Sequence, residues 1–247
     1  MGQTSRYWEI DFCRGTAILM MVVFHVVFDL GYFGIFPVSA SSGFWRYFGY
    51  GTASLFLLIV GVSFSIRYAR VSGNLSGWMR YRKFLYRGIG IFALGLLVTL
   101  GTWLYLGEGF VLFGILHLIG ISVIIAPFFY RFGIFNILLG FVCIAAGFFM
   151  GGLVGPLWLI PLGLHPAAFW SVDYTPLFPW FGIVLMGIGA GCTLYPGGIR
   201  RIPVPDLPPY GSSFVIFSGM HSLAIYLVHQ PVILLVLQVI TGRVLPG

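Results

Sequence analysis

Apolar residues run along this chain in long, nearly unbroken stretches, and the polar residues gather between them. A stretch of about 20 apolar residues is the length an α-helix needs to cross a bilayer. We place seven such spans at roughly 12–33, 44–66, 84–105, 109–129, 133–151, 176–195 and 213–240. "RYARVSGNLSGWMRYRK" (67–83) reads as a basic connection between two of them. "GGIRRIPVPDLPPYG" (197–211) is a linker whose prolines exclude helix. "VGPLWLIPLGLHPAAFWSVDYTPLFPW" (154–180) is too apolar for an exposed loop, and its prolines break any long helix. It is expected to fold back as a lid or re-entrant piece, because irregular backbone at membrane depth needs protein or water beside it.

Composition supports the same class. Hydrophobic residues make up 59% of the 247 and charged residues only 8%, where a soluble domain carries about 25% charged residues. The expected fold is an all-α, polytopic bundle of about seven transmembrane helices, forming a single transmembrane domain over 1–247. A net charge of +7 would suggest nucleic acid in a soluble chain; here it sorts by side. Eleven cations (Arg6, Arg14, Arg67, Arg70, Arg80, Arg82, Lys83, Arg87, Arg131, Arg200 and Arg201) share one side, against Arg46 and Arg243 on the other. The positive-inside rule then puts the N-terminus in the cytoplasm and the C-terminus outside. Lipid, not nucleic acid, is the expected partner. Cys13, Cys143 and Cys192 have no disulfide or metal spacing and read as packing residues. The first span has no cleavage site after it and is expected to be retained. Most of the 35 glycines read as places where helices pack closely.

Against this background a few buried polar residues stand out. His25 falls about 12 Å below the outer end of the first span, and Asp29 about 6 Å below it. His117 lies about 12 Å down the fourth span and His229 about 16 Å down the seventh. Three histidines on three helices thus share the outer half of the bilayer, with Asp29 and Arg46 just above them. Asp29 follows His25 by four residues, on the same helix face. An intramembrane carboxylate costs about 2.5–3.5 kcal/mol on insertion scales and marks function by default. A lone histidine in an apolar helix is often only hydrogen-bonded to a neighbour, and Pro231 beside His229 also reads as a simple kink. His221 and His165 are taken as structural or unassigned.

A neutral imidazole oriented by a carboxylate is a general base. No serine or cysteine stands in nucleophile context, so the histidine would deprotonate a hydroxyl or amine, or carry an acyl group itself. The same groups could instead relay protons or line the pore of a transporter or channel, although inverted repeats and paired broken helices are missing. Metal is a weaker reading, since only His25 and Asp29 stand at paired-ligand spacing.

A resemblance narrows these alternatives. "RYWEIDFCRGTAILMMVVFHVVFDLGYFG", "FLLIVGVSFSI", "RGIGIFALGLLVTLGTW", "FGILHLIGIS", "DYTPLFPWFG" and "SLAIYLVHQPV" occur in order over nearly the whole chain. Together they resemble small prokaryotic membrane proteins classed with the heparan-alpha-glucosaminide N-acetyltransferase catalytic domain. The first span is also similar to that of membrane acyltransferases that O-acetylate cell-surface sugars, with Arg14 and His25 at their Arg-x(10)-His spacing. The resemblance implies a multi-pass protein of the prokaryotic cytoplasmic membrane. It would move an acyl group, usually acetyl from cytoplasmic acetyl-CoA, to a hydroxyl or amine of a small or sugar-like acceptor outside. His25 would be the base and Arg14 part of the donor entrance. The chain departs from the larger acetyltransferases in having fewer spans, and a second copy of the chain stays an open partner.

Residue chemistry fits that implication. Arg82, Lys83 and Arg87, with Arg14, could meet the phosphates of CoA, although topology or anionic lipid explains the same cations. His117, Gln230 or Arg46 could donate to a developing oxyanion. Arg46 could also pair with Asp29 or with Asp173, grip an anionic acceptor, or snorkel among its aromatic neighbours. The expected site is therefore His25, Asp29, His117 and His229 as catalytic groups, with Arg46, Asp173 and Gln230 toward the acceptor.

Overall fold

The computed structural model describes residues 6–73, 75, 77–205, 208, 210–242 and 244. Arg243, one of the two outer cations in the charge sorting, lies outside the described residues, as do 206, 207 and 209 of the proline-rich linker. Every regular element among the described residues is helical: α1 (Trp8–Tyr32), α2 (Gly43–Ser72), α3 (Gly77–Leu106), α4 (Ile115–Phe129), α5 (Asn136–Met150), α6 (Leu177–Leu194), α7 (Ser213–Met220) and α8 (Ser222–Thr241). Short 3-10 segments occupy Tyr130–Phe135, Leu157–Leu162 and Pro196–Gly198.

Six helical stretches have the length and apolarity to cross a bilayer, and the longest, Ile115–Met150, contains both α4 and α5. Its side-chain neighbours show that it turns back. Along α2 and α3, Phe64 and Tyr68 meet Phe84, and Arg80 lies over Tyr68, so these two helices form an antiparallel hairpin. Gly88 faces Gly120 and Ile124 while Gly95 faces His117, so α4 runs antiparallel to α3. Gly61 faces Gly187 and Ser65 faces Gly191, so α6 runs parallel to α2. Gly140 faces Gly182 and Gly147 faces Pro179, so α5 runs antiparallel to α6. It follows that α4 and α5 run in opposite directions. The reversal sits at Gly133, with φ 52° and ψ −127°. The Asn136 amide closes it by donating to the carbonyls of Phe129 and Gly133 at 3.0 and 2.9 Å. The six apolar stretches therefore make seven passes.

Two expectations change. The basic stretch 67–83 is mostly helix, because α2 and α3 continue through it and leave only 73–76 between them. Arg and Lys are good helix formers, and a helix that leaves the bilayer has no reason to stop at its edge. The span 213–240 is broken in two at His221, with φ −108° and ψ 17°.

The chain separates into two compact units, one of residues up to Phe56 together with those from Val204 on, the other Leu57–Pro203. In the first, α1 runs parallel to α7 and α8. Trp8 and Phe12 border the same groove as Ser212 and Val215; further along, Gly15 faces Gly219. Beyond them, Val22, Val26 and Leu30 pack with Ile233 and Leu237. At the crossing, a Cβ on Gly15 would strike the Val215 carbonyl, and one on Gly219 the Asp11 carbonyl. The two backbones touch, as small residues allow between membrane helices.

In the second unit, the apolar segment after α5 is ordered against the start of α4. Val172 and Thr175 donate backbone hydrogen bonds to Gly109 and Phe113. The Ser171 hydroxyl donates to the Phe110 carbonyl at 2.8 Å, and that of Tyr174 to the Ile160 carbonyl at 2.9 Å. Burial pushes the Tyr174 phenol up to about 12, so it remains a donor throughout the neutral range.

Candidate functional site

On α1, Nδ1 of His25 lies 2.9 Å from the Met21 carbonyl one turn back. A carbonyl only accepts, so Nδ1 carries the proton and Nε2 of the neutral ring carries the lone pair. His229 on α8 is held the same way, with Nδ1 2.6 Å from the Tyr226 carbonyl. Its Nε2 is buried and has no hydrogen-bond partner among the described residues. The two rings meet edge to face with centroids 4.7 Å apart and planes at 75°. A proton, a hydroxyl or an amine brought beside Nε2 of His229 would satisfy it.

Asp29, one turn beyond His25, is 2% exposed. Both of its oxygens accept from Nε2 of Gln230, each at 2.9 Å. An ionised carboxylate only accepts, so the amide nitrogen must face it. The amide oxygen is then turned away, and it too is buried without a partner among the described residues. Asp29 was expected to orient His25; the Met21 carbonyl does so instead. Sharing one face of α1 aims both side chains at α8, where His25 meets His229 and Asp29 meets Gln230.

The other candidates are placed differently. Arg14 bonds Asp11 at 2.6 Å and makes a long contact of 3.5 Å with the Gly219 carbonyl. Arg46 is exposed; its Nε donates to the Tyr50 hydroxyl at 3.3 Å and its guanidinium lies over that ring. It does not pair with Asp29, whose oxygens Gln230 holds.

Within the second unit, His117 is 1% exposed and enclosed by the rings of Phe92 and Phe113. The Gly114 N–H donates to its Nδ1 at 3.2 Å, and its Nε2 faces the Thr99 hydroxyl at 3.4 Å. This is the opposite tautomer to that of His25, and it spends the lone pair on capping α4. Asp173 caps the same helix. Its Oδ2 accepts from the Ile115 N–H at 3.2 Å and its Oδ1 from the Thr175 hydroxyl at 3.1 Å. A carboxylate at a helix N-terminus also meets the positive end of the helix dipole. Both residues are engaged at the start of α4. On α3, Arg82, Lys83 and Arg87 are exposed, with Arg82 over the Tyr86 ring and 3.4 Å from its hydroxyl.

The structure thus brings His25, Asp29, His229 and Gln230 together on one seam, and places His117 with Asp173 at a helix start. The groups that sequence reading missed are backbone ones, the carbonyls of Met21 and Tyr226 that set both tautomers. Residue identity carries no mark of them, although any helical histidine has such a carbonyl within reach.

Fold and site together define a polytopic helical membrane protein with a polar centre built on a histidine pair. A family profile described as heparan-alpha-glucosaminide N-acetyltransferase, catalytic, matches residues 6–231, and the chain belongs to that family. The match takes in His25, Asp29, His229 and Gln230, and it makes the chain a membrane protein of acetyltransferase type. Neither the curated proteins nor the solved structures yield a match.

Proposed function

We propose that the chain moves an acetyl group from acetyl-CoA, as substrate, to a hydroxyl or amine of a small or sugar-like acceptor. The observation that carries this reading is a set of two buried acceptors at the α1–α8 seam with no partner among the described residues, Nε2 of His229 and the amide oxygen of Gln230. Such a set calls for a ligand that donates hydrogen bonds, and hydroxyls and amines do so. Buried acceptors left unmatched would cost about 1–3 kcal/mol each.

In the proposed reaction, Nε2 of His25 takes the proton as the acceptor's oxygen or nitrogen bonds to the thioester carbonyl carbon. The carbon–sulfur bond breaks, and the proton passes on to the sulfur, releasing CoA. His229 stands where it can share that proton while it is held. General-base catalysis of this kind contributes about 10²–10⁴-fold. Both imidazoles come from one chain, so the proton-transfer centre needs no second copy. By the positive-inside rule the start of α1 faces the cytoplasm; α8 runs parallel to α1, so its end faces outward, with lipid around the exposed apolar faces. The resemblance to small prokaryotic membrane proteins makes the prokaryotic cytoplasmic membrane the proposed host.

Arg82, Lys83 and Arg87 carry the charge to hold the CoA phosphates. Arg14, matched by Asp11, fits that task less well. Calorimetric titration of purified protein in detergent tests the donor. Saturable acetyl-CoA binding is expected, weakened at least tenfold, or about 1.4 kcal/mol, when Arg82, Lys83 and Arg87 are together replaced by Glu. Folded protein that shows no saturable binding at millimolar acetyl-CoA would overturn the donor assignment.

A further inference from the structure

In the first unit, α1 and α8 lie side by side over the stretch that carries the histidine pair, yet their packing there is ordinary. Val22, Val26 and Leu30 meet Ile233 and Leu237 through branched aliphatic side chains. Lipid tails are as apolar as these residues, so such contacts give membrane helices little preference for one register over another. The tight backbone contact at Gly15 and Gly219 is far off, ten residues before His25 and His229 respectively. That is about 15 Å of helix. Between it and the histidines the helix is interrupted at His221, with φ −108° and ψ 17°.

A polar link on this seam is that from Gln230 to Asp29. It is double, with the amide nitrogen 2.9 Å from each carboxylate oxygen, and it is buried. Gln230 is the next residue after His229, and Asp29 stands one turn beyond His25. We propose that this pair is the clamp that sets the register of α8 on α1, and that Gln230 is accordingly a positioning residue for the His25–His229 centre. The inference rests on the acyltransferase reading for its consequence in activity, but not for its geometry.

The clamp works by complementarity. A carboxylate in the membrane must find donors, and Gln230 supplies them from a position where it can only do so with His229 facing His25. A one-residue slip would turn the amide about 100° away and leave the carboxylate bare. Polar residues in otherwise apolar helix seams are best attested in this registry role. The clamp also explains why Asp29 stands beside a histidine without bonding to it. Its task is mechanical, and its charge can sit on either helix provided a donor faces it.

This makes a swap informative. Gln230→Ala removes the donor, and Gln230→Glu sets two carboxylates against each other; both loosen the seam. Asp29→Asn with Gln230→Glu restores one donor and one acceptor with the charge moved to α8. Register is read without activity by exchanging His25→Cys and His229→Cys, in a background with Cys13, Cys143 and Cys192 replaced by Ala, and timing a short bis-methanethiosulfonate cross-link. Cross-linking is expected to slow at least tenfold with Gln230→Ala or Gln230→Glu and to recover in the swap. With both histidines intact, acetyl transfer should follow the same order, falling in kcat more than in KM and recovering in the swap. Unchanged cross-linking in Gln230→Ala would overturn the clamp. So would a swap that stays as slow as Gln230→Glu. If cross-linking follows the predicted order but no variant, wild type included, transfers acetyl, the clamp stands and the acyltransferase reading falls.

Discussion

Replacing His25 by alanine is expected to leave a folded protein whose acetyl transfer is slower by about 10²–10⁴-fold, the usual share of a general base. The ring is bonded to the Met21 carbonyl of its own helix and makes edge contacts with Phe24 and His229. Its removal therefore deletes chemistry more than packing. His25→Gln keeps a polar side chain of similar reach but no base, and should be nearly as slow. His221→Ala is the control. That histidine has the same kind of bond, Nδ1 to the Phe217 carbonyl at 3.0 Å, but is exposed and stands eight residues before His229. Its loss should change the rate less than twofold. Initial rates at saturating acetyl-CoA separate these cases, and a His25→Ala enzyme within threefold of wild type would remove His25 from the mechanism.

The second large effect is structural. Gly15→Leu is expected to destabilise the first unit by about 3 kcal/mol or more, at or beyond the upper end of ordinary overpacking. The obstacle is the Val215 carbonyl, a backbone atom that cannot rotate away. Relief requires α1 and α7 to part, which also strains the Arg14 contact at Gly219 and the seam beyond. Gly51→Leu is the matched control, because a Cβ at Gly51 meets open space. Thermal unfolding in detergent should show a lower midpoint for Gly15→Leu and little change for Gly51→Leu. Equal midpoints would mean that the close crossing is not what holds the helices together.

Much of this architecture could be read from residue order, and the reasons differ by element. Apolar length revealed the passes, including the pair at 115–150 that length alone would merge, because Arg131 and Gly133 interrupt the run. Helix ends were less legible. The basic stretch 67–83 looks like a loop by composition, but α2 and α3 carry their arginines outward as helix. At the site, an aspartate one turn from a histidine singled out the face of α1 that meets α8. The partners across the seam stand on α8, about 200 residues further on, and spacing along α1 carries no sign of them. His117 shows the limit most clearly. In sequence it has the same apolar setting as His25, and only the fold shows its lone pair engaged by the Gly114 N–H.

The central claim is acyl transfer through His25, and radiolabelled acetyl-CoA tests it most directly. Purified protein in liposomes would be given the label on the side of the α1 start, with a panel of polyols, amino sugars and simple amines on the other side. Labelled acceptor and an equal amount of released CoA are expected, both lost in His25→Ala. It would be contradicted by protein that binds acetyl-CoA yet labels no hydroxyl or amine, or by transfer that persists unchanged without His25.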